Sequence, residues 1–522
     1  MSPRTVLALR AAVLALALGL RLPELLTGLP YTSYVDEGYI LHPAAHLIAA
    51  RTWDPGAYYY PSLPLYAIAG AATLEAPFYA AVHGRSLRED LAPDPPRFYD
   101  LIEPVDLIVL GRLMTLLVGL GVVVLTGLLA RRLAGEGAGL FAALLAALVP
   151  ALLIRGAITT VDPWAALFVV AALFFAEGAA RSGPPWRDAL LAGAMTGCAL
   201  TSKYPHALVA LAVVATLLRI EGDWRRKARA VGLAGTAGVL AALVTMPALV
   251  LRSGEVLAAL RHTSVGYAAA PGGGFWGQAV GQAALDRLYQ GPELGLPFVV
   301  CAVLGGLAAA RDRRFAGTVL AWGLYAGALG LLLSSYPIRP FRNLVPLVPL
   351  GCVLAALLLV EVGERLRRPG WVGAVAALGA LALLLPGGAT SARAHAREVD
   401  TRSRAIDWLA AHSSPDDVVL VSAELAIPRA ELFRLPGTAL ELDLRHARAH
   451  LRRLGDADFV VTGEFDLTPD LPDLLTTGRT KAPYTQVARF GRRHGSLWLG
   501  NRRAVLVFRR VETPAAGVID RD

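Results

Sequence analysis

Long apolar stretches recur along most of the chain and restrict it to one class of fold. Each stretch runs for about 16 to 25 residues, enough to cross a hydrocarbon core as an α-helix. Of the 522 residues, 55% are hydrophobic and only 17% are charged, so a soluble globule would leave too much apolar surface in water. We therefore predict an α-helical polytopic membrane protein with about eleven transmembrane helices. The predicted spans begin near Val6, Leu107, Gly137, Pro163, Asp188, Pro205, Ala228, Leu294, Phe315, Phe341 and Trp371.

Clusters of basic residues occupy alternate short loops between these spans. Cytoplasmic loops carry the excess of Lys and Arg in membrane proteins, so we place the N-terminus in the cytoplasm and the loop of residues 23–106 outside. The net charge of +9 is then a signature of topology, and no zinc knuckle or RNA-binding motif suggests nucleic-acid binding. The basic clusters begin at Arg131, Arg181, Arg225, Arg311 and Arg365.

The tail after residue 386 differs in character from the preceding chain. Apolar runs shorten to strand length and turn signals appear, which is typical of a small α/β domain. The sequence therefore divides into a transmembrane domain, residues 1–386, and an extracytoplasmic α/β domain, residues 387–522. Its predicted elements are helices over Ser403–Ala411 and Arg445–Leu454 and strands over Val418–Ser422, Phe459–Thr462 and Ala504–Phe508.

Two adjacent carboxylates, Asp36 and Glu37, follow the first span directly. Carboxylates beside hydrocarbon cost free energy, so their position at a membrane boundary indicates chemistry or ion handling there. A divalent metal held by Glu37 with His262 of a later external loop is one such role. A lone loop histidine is more often simply solvated, and that alternative stays open.

Three cations and one further carboxylate map to the external ends of other spans. Lys203 is one of few lysines in an arginine-rich chain, and Arg339 and Arg342 stand where the positive-inside bias disfavours them. Ammonium and guanidinium groups suit phosphate oxygens. The alternatives are a snorkelling lysine and arginines paired with external carboxylates. Asp162 precedes Pro163, so it is either a helix N-cap or a substrate ligand.

Tyrosines are concentrated in the first external loop. Tyr60 and Tyr66, with Tyr204 beside Lys203, are candidates for contact with a substrate, and Tyr31 belongs to the same aromatic group. Interfacial anchoring accounts for such residues without any ligand. We predict an interfacial helix over Pro61–Val82, because a crossing there would invert the pattern of loop charges.

These motifs together resemble the GT-C membrane glycosyltransferases, and most closely the branch of protein O-mannosyltransferases and lipid A aminoarabinose transferases. The order and spacing match over roughly residues 1–360. Two positions depart from the family pattern: Ser62 replaces a proline, and Asn343 replaces the tyrosine after Arg342. The resemblance rests on Asp36–Glu37, Tyr58–Tyr66, Asp162–Pro163, Thr201–Pro205 and Arg342–Pro349.

The resemblance implies a multi-pass enzyme of the cell membrane. Such an enzyme moves a sugar from a polyprenyl-phosphate donor to a hydroxyl of a lipid, glycan or protein on the extracytoplasmic face. In this scheme Asp36 is the general base, and Lys203 and Arg342, with Arg339, bind the donor phosphate. A donor with one phosphate needs no divalent ion, so no obligatory metal is expected.

Two other classes of protein stay open at this stage. A secondary transporter also carries charged residues among its helices, although these usually lie near the membrane midplane. An envelope assembly protein would need the external domain but neither Lys203 nor Arg342. The arginine-rich, lysine-poor composition suggests a bacterium with a GC-rich genome.

Overall fold

The computed structural model is predominantly α-helical, with one small sheet near its C-terminus. It describes residues 2–32, 35–91, 104–181, 185–268, 294, 296–334, 341–397, 400–422, 425, 427–442, 456–463, 484–490 and 505–511. The chain divides into two compact units. The first unit is Met1–Leu25, Pro43–Ala76 and Val109–Ala394, and the second unit is Leu26–His42, Pro77–Ile108 and His395–Asp522.

The helices fall where the apolar stretches predict them, and every predicted span begins within or directly beside a helix. Among the described residues, seven helices are long and apolar enough to cross a membrane, and four shorter apolar helices accompany them. Short 3₁₀ helices cover Leu22–Leu26, Tyr204–Leu208 and Phe341–Leu347. The α-helices are α1 (Pro3–Arg21), α2 (Val35–Ala49), α3 (Leu63–His83), α4 (Leu87–Asp90), α5 (Val105–Ala134), α6 (Glu136–Leu148), α7 (Pro150–Arg155), α8 (Asp162–Arg181), α9 (Trp186–Ser202), α10 (Val209–Leu217), α11 (Trp224–Thr245), α12 (Ala248–Leu251), α13 (Ser253–Ala268), α14 (Leu296–Arg311), α15 (Ala316–Ser334), α16 (Val348–Arg365), α17 (Pro369–Arg397), α18 (Thr401–His412) and α19 (Arg429–Leu432).

Helix α3 covers the segment predicted to lie in the membrane interface. It meets the same limits of length and hydropathy as the other candidate spans. Length and hydropathy therefore do not separate an interfacial helix from a crossing here, and the interfacial assignment stays a prediction.

The sheet belongs to the second unit and has five strands in the order β2-β1-β3-β5-β4. Strand β1 pairs in parallel with β2 and β3, whereas β5 runs antiparallel to both β3 and β4. The predicted helix near Ser403 and the three predicted strands are confirmed, while the helix predicted over Arg445–Leu454 lies outside the described residues. The strands are β1 (Val418–Ser422), β2 (Thr438–Leu442), β3 (Phe459–Gly463), β4 (Tyr484–Phe490) and β5 (Val505–Arg510).

Close helix packing in the first unit depends on small residues. A Cβ atom added to Gly193 of α9 would lie 1.9 Å from the carbonyl oxygen of Ala234 in α11, and one added to Gly197 would lie 2.2 Å from that of Gly238. In lipid, small residues of this kind let helix backbones approach and gain van der Waals contact.

Gly193→Ala is therefore expected to lower the free energy of unfolding by about 1–3 kcal/mol, because the methyl group meets a backbone oxygen that cannot rotate away. Thermal unfolding of the purified protein in detergent measures this. Gly232→Ala, on α11 where an added Cβ meets nothing within 4 Å, is the matched control and should leave the transition unchanged or raise it slightly. Equal transitions for both variants would contradict close packing at Gly193.

Candidate functional site

A buried ion pair lies at the ends of two helices of the first unit. Lys203 Nζ donates to Asp162 Oδ1 at 2.5 Å, and the two residues are only 7% and 1% exposed. Asp162 is the first residue of α8, and Lys203 is the C-cap of α9. Each charge therefore complements the dipole of its own helix end. The lysine is buried in an ion pair, so it does not extend to solvent as a snorkelling side chain.

Two prolines fix these helix ends. Pro163 occupies the second position of α8, where its missing N–H group is no loss. Pro205 has no N–H group to donate to a carbonyl of the preceding turn, so α9 cannot continue through it. Lys203 has extended backbone angles, φ −158° and ψ 115°, between α9 and the next 3₁₀ helix. The charged side chains are thus attached to chain breaks that the sequence itself dictates.

Further cations act on the same carboxylate. The charges of Arg155, at the end of α7, and of Arg342 interact with Asp162 in addition to Lys203. Arg342 is 8% exposed, and the neighbouring Asn343 is also buried. The second oxygen, Asp162 Oδ2, is buried and accepts no hydrogen bond from the residues that the structure describes. The structure therefore gathers three cations around one carboxylate, an arrangement suited to holding an additional anion.

Of the predicted phosphate ligands, Lys203 and Arg342 are brought together with Asp162, whereas Arg339 lies outside the described residues. Arg155 and His206 were not predicted. His206 is buried next to this group, where its Nδ1 atom lies 2.7 Å from the Tyr325 hydroxyl. A charged residue inside an otherwise apolar stretch, as Arg155 is, was the available sequence signal.

The predicted catalytic pair belongs to the second unit. Asp36 and Glu37 lie in the first turn of α2, and they are 6% and 0% exposed. Negative charge is favourable at a helix N-terminus because the backbone N–H groups there point outward unpaired. The fold thus keeps two adjacent carboxylates at a buried helix start.

Two of the three candidate aromatic ligands, Tyr66 and Tyr204, donate hydrogen bonds from their hydroxyl groups within the first unit. Tyr204 donates to the Tyr58 carbonyl at 3.1 Å, and Tyr66 donates to the Trp53 carbonyl at 2.7 Å. Tyr60 is half-buried. These hydrogen bonds order the segment around residues 53–66, and the proposed contact of the rings with substrate stays a prediction.

Asp54 anchors the same segment. Its carboxylate accepts hydrogen bonds from the Tyr58 hydroxyl at 2.6 Å and from the Gly56 amide at 2.9 Å, and it pairs with Arg252. Burial works against the charged form, but these donors and the nearby guanidinium hold the pKa of Asp54 below its ordinary value. The Asp54 carboxylate is therefore ionised at neutral pH, and its hydrogen bonds and ion pair hold the segment around residues 53–66 in place.

The metal alternative names His262 together with Glu37. His262 lies in α13 with its ring 5.8 Å from that of Tyr59 in an edge contact. Within the part of the chain that the structure describes, no three His, Cys, Asp or Glu residues are grouped so that they could hold a metal ion.

Residues 106–251 match the profile of a protein family described as dolichyl-phosphate-mannose-protein mannosyltransferase. This range contains both members of the Asp162–Lys203 pair. A search of curated proteins gave no significant match.

Solved structures share the fold across nearly the whole chain. ArnT from Cupriavidus metallidurans bound to undecaprenyl phosphate is similar with a TM-score of 0.57 and 15% identity, over 97% of this chain and 98% of that one. AglB, the oligosaccharyltransferase of Archaeoglobus fulgidus in complex with an inhibitory peptide and a dolichol-phosphate, is similar with a TM-score of 0.50 and 14% identity, over 88% and 69% of the two chains. At these identities the similarity establishes the fold, which confirms the predicted resemblance to GT-C proteins.

Proposed function

We propose that this chain, which has the fold of the GT-C membrane glycosyltransferases, moves a monosaccharide from a polyprenyl-phosphate donor to a hydroxyl acceptor on the extracytoplasmic face of the cell membrane. The observation that carries the proposal is the group of cations around buried Asp162: Lys203 and Arg342, which are buried, and Arg155, which is half-buried. Fixed cations in a partly dry site stabilise the charge that develops on a departing phosphate better than water does. The ArnT and AglB structures hold polyprenyl phosphates, which is consistent with this chemistry.

The reaction is a single displacement at the anomeric carbon. The acceptor hydroxyl attacks C1 of the sugar and loses its proton to Asp36, while the C1–O bond to the lipid phosphate breaks. The electron pair of that bond leaves with the phosphate, whose added charge is met by Lys203 and Arg342, with Arg339 as a further candidate. Attack opposite to the leaving group inverts the anomeric configuration.

The donor in this proposal carries one phosphate, so we propose no obligatory divalent metal. Lysine and arginine side chains can meet the charge of a leaving group that carries one phosphate, whereas an activated pyrophosphate more often recruits a divalent ion. Transfer is expected to be unchanged by EDTA. A loss of activity that Mn²⁺ or Mg²⁺ restores would instead favour the metal alternative at Glu37 and His262.

The first test compares cells that carry the native protein, a deletion or Asp36→Asn at equal expression. Mass spectrometry of total lipids and envelope glycans should reveal a polyprenyl-phosphate sugar that accumulates in both mutants while one envelope sugar disappears. The component that loses the sugar identifies the acceptor as lipid, glycan or protein. Asp312→Asn, which removes a carboxylate paired with the exposed Arg314, is the control and should match the native strain.

An envelope defect in the deletion strain without accumulation of a lipid-linked sugar would overturn the proposal. It would favour a transporter or an assembly protein, because neither class consumes a lipid-linked sugar. A silent Asp36→Asn variant alongside a defective deletion would leave the transferase activity in place and remove Asp36 as the base.

A further inference from the structure

The side chain of Tyr31 lies in the core of the sheet domain, defined here as α18 with the five strands. The residue precedes α2 in sequence, yet it is 1% exposed and packs in one cluster with Ile406 of α18, Val421 of β1, Phe459 of β3 and Val507 of β5. Burial of the ring raises the pKa of its hydroxyl, as expected for a phenol removed from water. The segment before α2 is therefore packed, through Tyr31, into a domain that is distant in sequence.

Arg402 contacts both Tyr31 and the backbone that follows it. Its guanidinium carbon lies 4.0 Å from the centroid of the Tyr31 ring, the geometry of a cation–π contact. Its Nη2 atom donates to the Thr32 carbonyl at 3.4 Å, and its Nη1 atom donates to the Leu425 carbonyl at 3.0 Å. One side chain thus holds both the ring and the backbone of the segment that leads to α2.

Asp400 fixes the orientation of that guanidinium. Its carboxylate accepts from Arg402 Nε at 2.9 Å and from Nη2 at 2.8 Å, a two-pronged pair with both residues buried. The same carboxylate caps α18 by accepting from the Arg402 backbone amide at 2.8 Å. Hydrogen bonds to Asp400 therefore restrain both the backbone and the side chain of Arg402.

We propose that Arg402 is a positioning residue, through which the sheet domain sets the location of Asp36. This inference rests on the proposed function, in which Asp36 is the general base. Arg402 contacts the Thr32 carbonyl, and α2 begins at Val35 with Asp36 in its first turn. Thr32 lies close in sequence to the start of α2. Loss of the Arg402 contacts with Tyr31 and Thr32 should therefore let the first turn of α2, and with it the Asp36 carboxylate, change position. In this proposal Arg402 acts through Asp36 and takes no part in the bond changes.

Misplacement of a catalytic group by about 1 Å costs on the order of 100-fold in rate. Arg402→Met keeps much of the side-chain length and removes the charge and the planar fork, so we expect kcat to fall by roughly 10- to 100-fold. The KM for the donor should change little. Arg402→Lys keeps the positive charge but lacks the planar guanidinium that lies over the Tyr31 ring and pairs with both Asp400 oxygens. Its kcat should therefore lie between that of Arg402→Met and that of the native protein.

The assay uses the full-length protein in nanodiscs, with the polyprenyl-phosphate sugar purified from the deletion strain as donor. The matched control is Arg434→Met, which removes an exposed arginine paired with Asp407 of α18 and Glu431 of α19 and should leave kcat unchanged.

A double-variant comparison separates positioning from general stability. If Arg402 acts through Asp36, then Arg402→Met should add no further loss in an Asp36→Asn background, because the base is already absent. Hydrogen–deuterium exchange should rise in peptides covering residues 31–42 while strand β1 stays protected. An equal fall in both backgrounds, or an unchanged kcat with increased exchange, would overturn the inference.

Failure of the proposed function would give a result that differs from failure of the positioning role of Arg402. The native protein would then transfer no sugar at all, while the exchange measurement would still report whether Arg402 holds the segment before α2.

Discussion

Asp36→Asn is expected to lower the rate of sugar transfer by about 10²- to 10⁴-fold, the usual contribution of general-base catalysis. The amide has nearly the same size and still accepts hydrogen bonds from a helix N-terminus, so α2 should keep its start. It cannot accept a proton from the acceptor hydroxyl. Steady-state kinetics should therefore show a reduced kcat with the KM for the donor nearly unchanged.

Glu37→Gln is the matched comparison, because it makes the same chemical change one residue away in the same helical turn. We expect a smaller fall than for Asp36→Asn. If Glu37→Gln abolishes transfer and Asp36→Asn leaves it intact, then the base is Glu37 and the assignment within the pair is reversed. Equal folding of both variants, checked by thermal unfolding in detergent, is needed for this comparison.

The helical part of the fold could be predicted because hydrocarbon imposes a simple rule. A segment that crosses the membrane must satisfy its own backbone hydrogen bonds and must be apolar over about 20 residues. Both requirements are visible in the sequence, so the starts near Val6, Leu107 and Trp371 agree with α1, α5 and α17. Orientation depends on the membrane itself and stays a prediction from the loop charges.

The sheet was predictable only in part. Strands β1, β3 and β5 are apolar runs buried along most of their length, and such runs are recognisable. Strands β2 and β4 are the two edges of the sheet. Half-exposed edge strands carry polar residues, as the stretch Tyr484–Phe490 does with most of its side chains at least partly exposed, so no apolar run marks them.

The candidate site shows the same division between local and distant information. The positions of Asp162 and Lys203 at helix ends could be predicted from the sequence, because a proline lies close to each of them. The contact of Arg402 with Thr32 joins residues 370 positions apart, and no local pattern encodes it. Tyr31 was accordingly grouped with the interfacial tyrosines, whereas the structure places it in the core of the sheet domain.

Lys203→Met is expected to reduce both stability and transfer. Removing one partner of a buried ion pair leaves the other charge without compensation, which costs about 3–5 kcal/mol. Arg155 and Arg342 still act on Asp162, so the loss should lie at the lower end of that range. Transfer should fall by about 10²- to 10³-fold, as for the loss of one group that stabilises transition-state charge. Lys227→Met, which removes a half-buried lysine near the start of α11, is the control and should change neither quantity.

The double variant Lys203→Met with Asp162→Leu separates the two effects. Replacing both members of a buried ion pair by apolar residues of similar size is often neutral for stability, so the thermal transition should return close to that of the native protein. Transfer should stay low, because the donor phosphate still lacks the ammonium group. Recovery of transfer together with stability would mean that the pair only holds α8 and α9 in place, and the phosphate would then have to depend on Arg342 and the other cations around it.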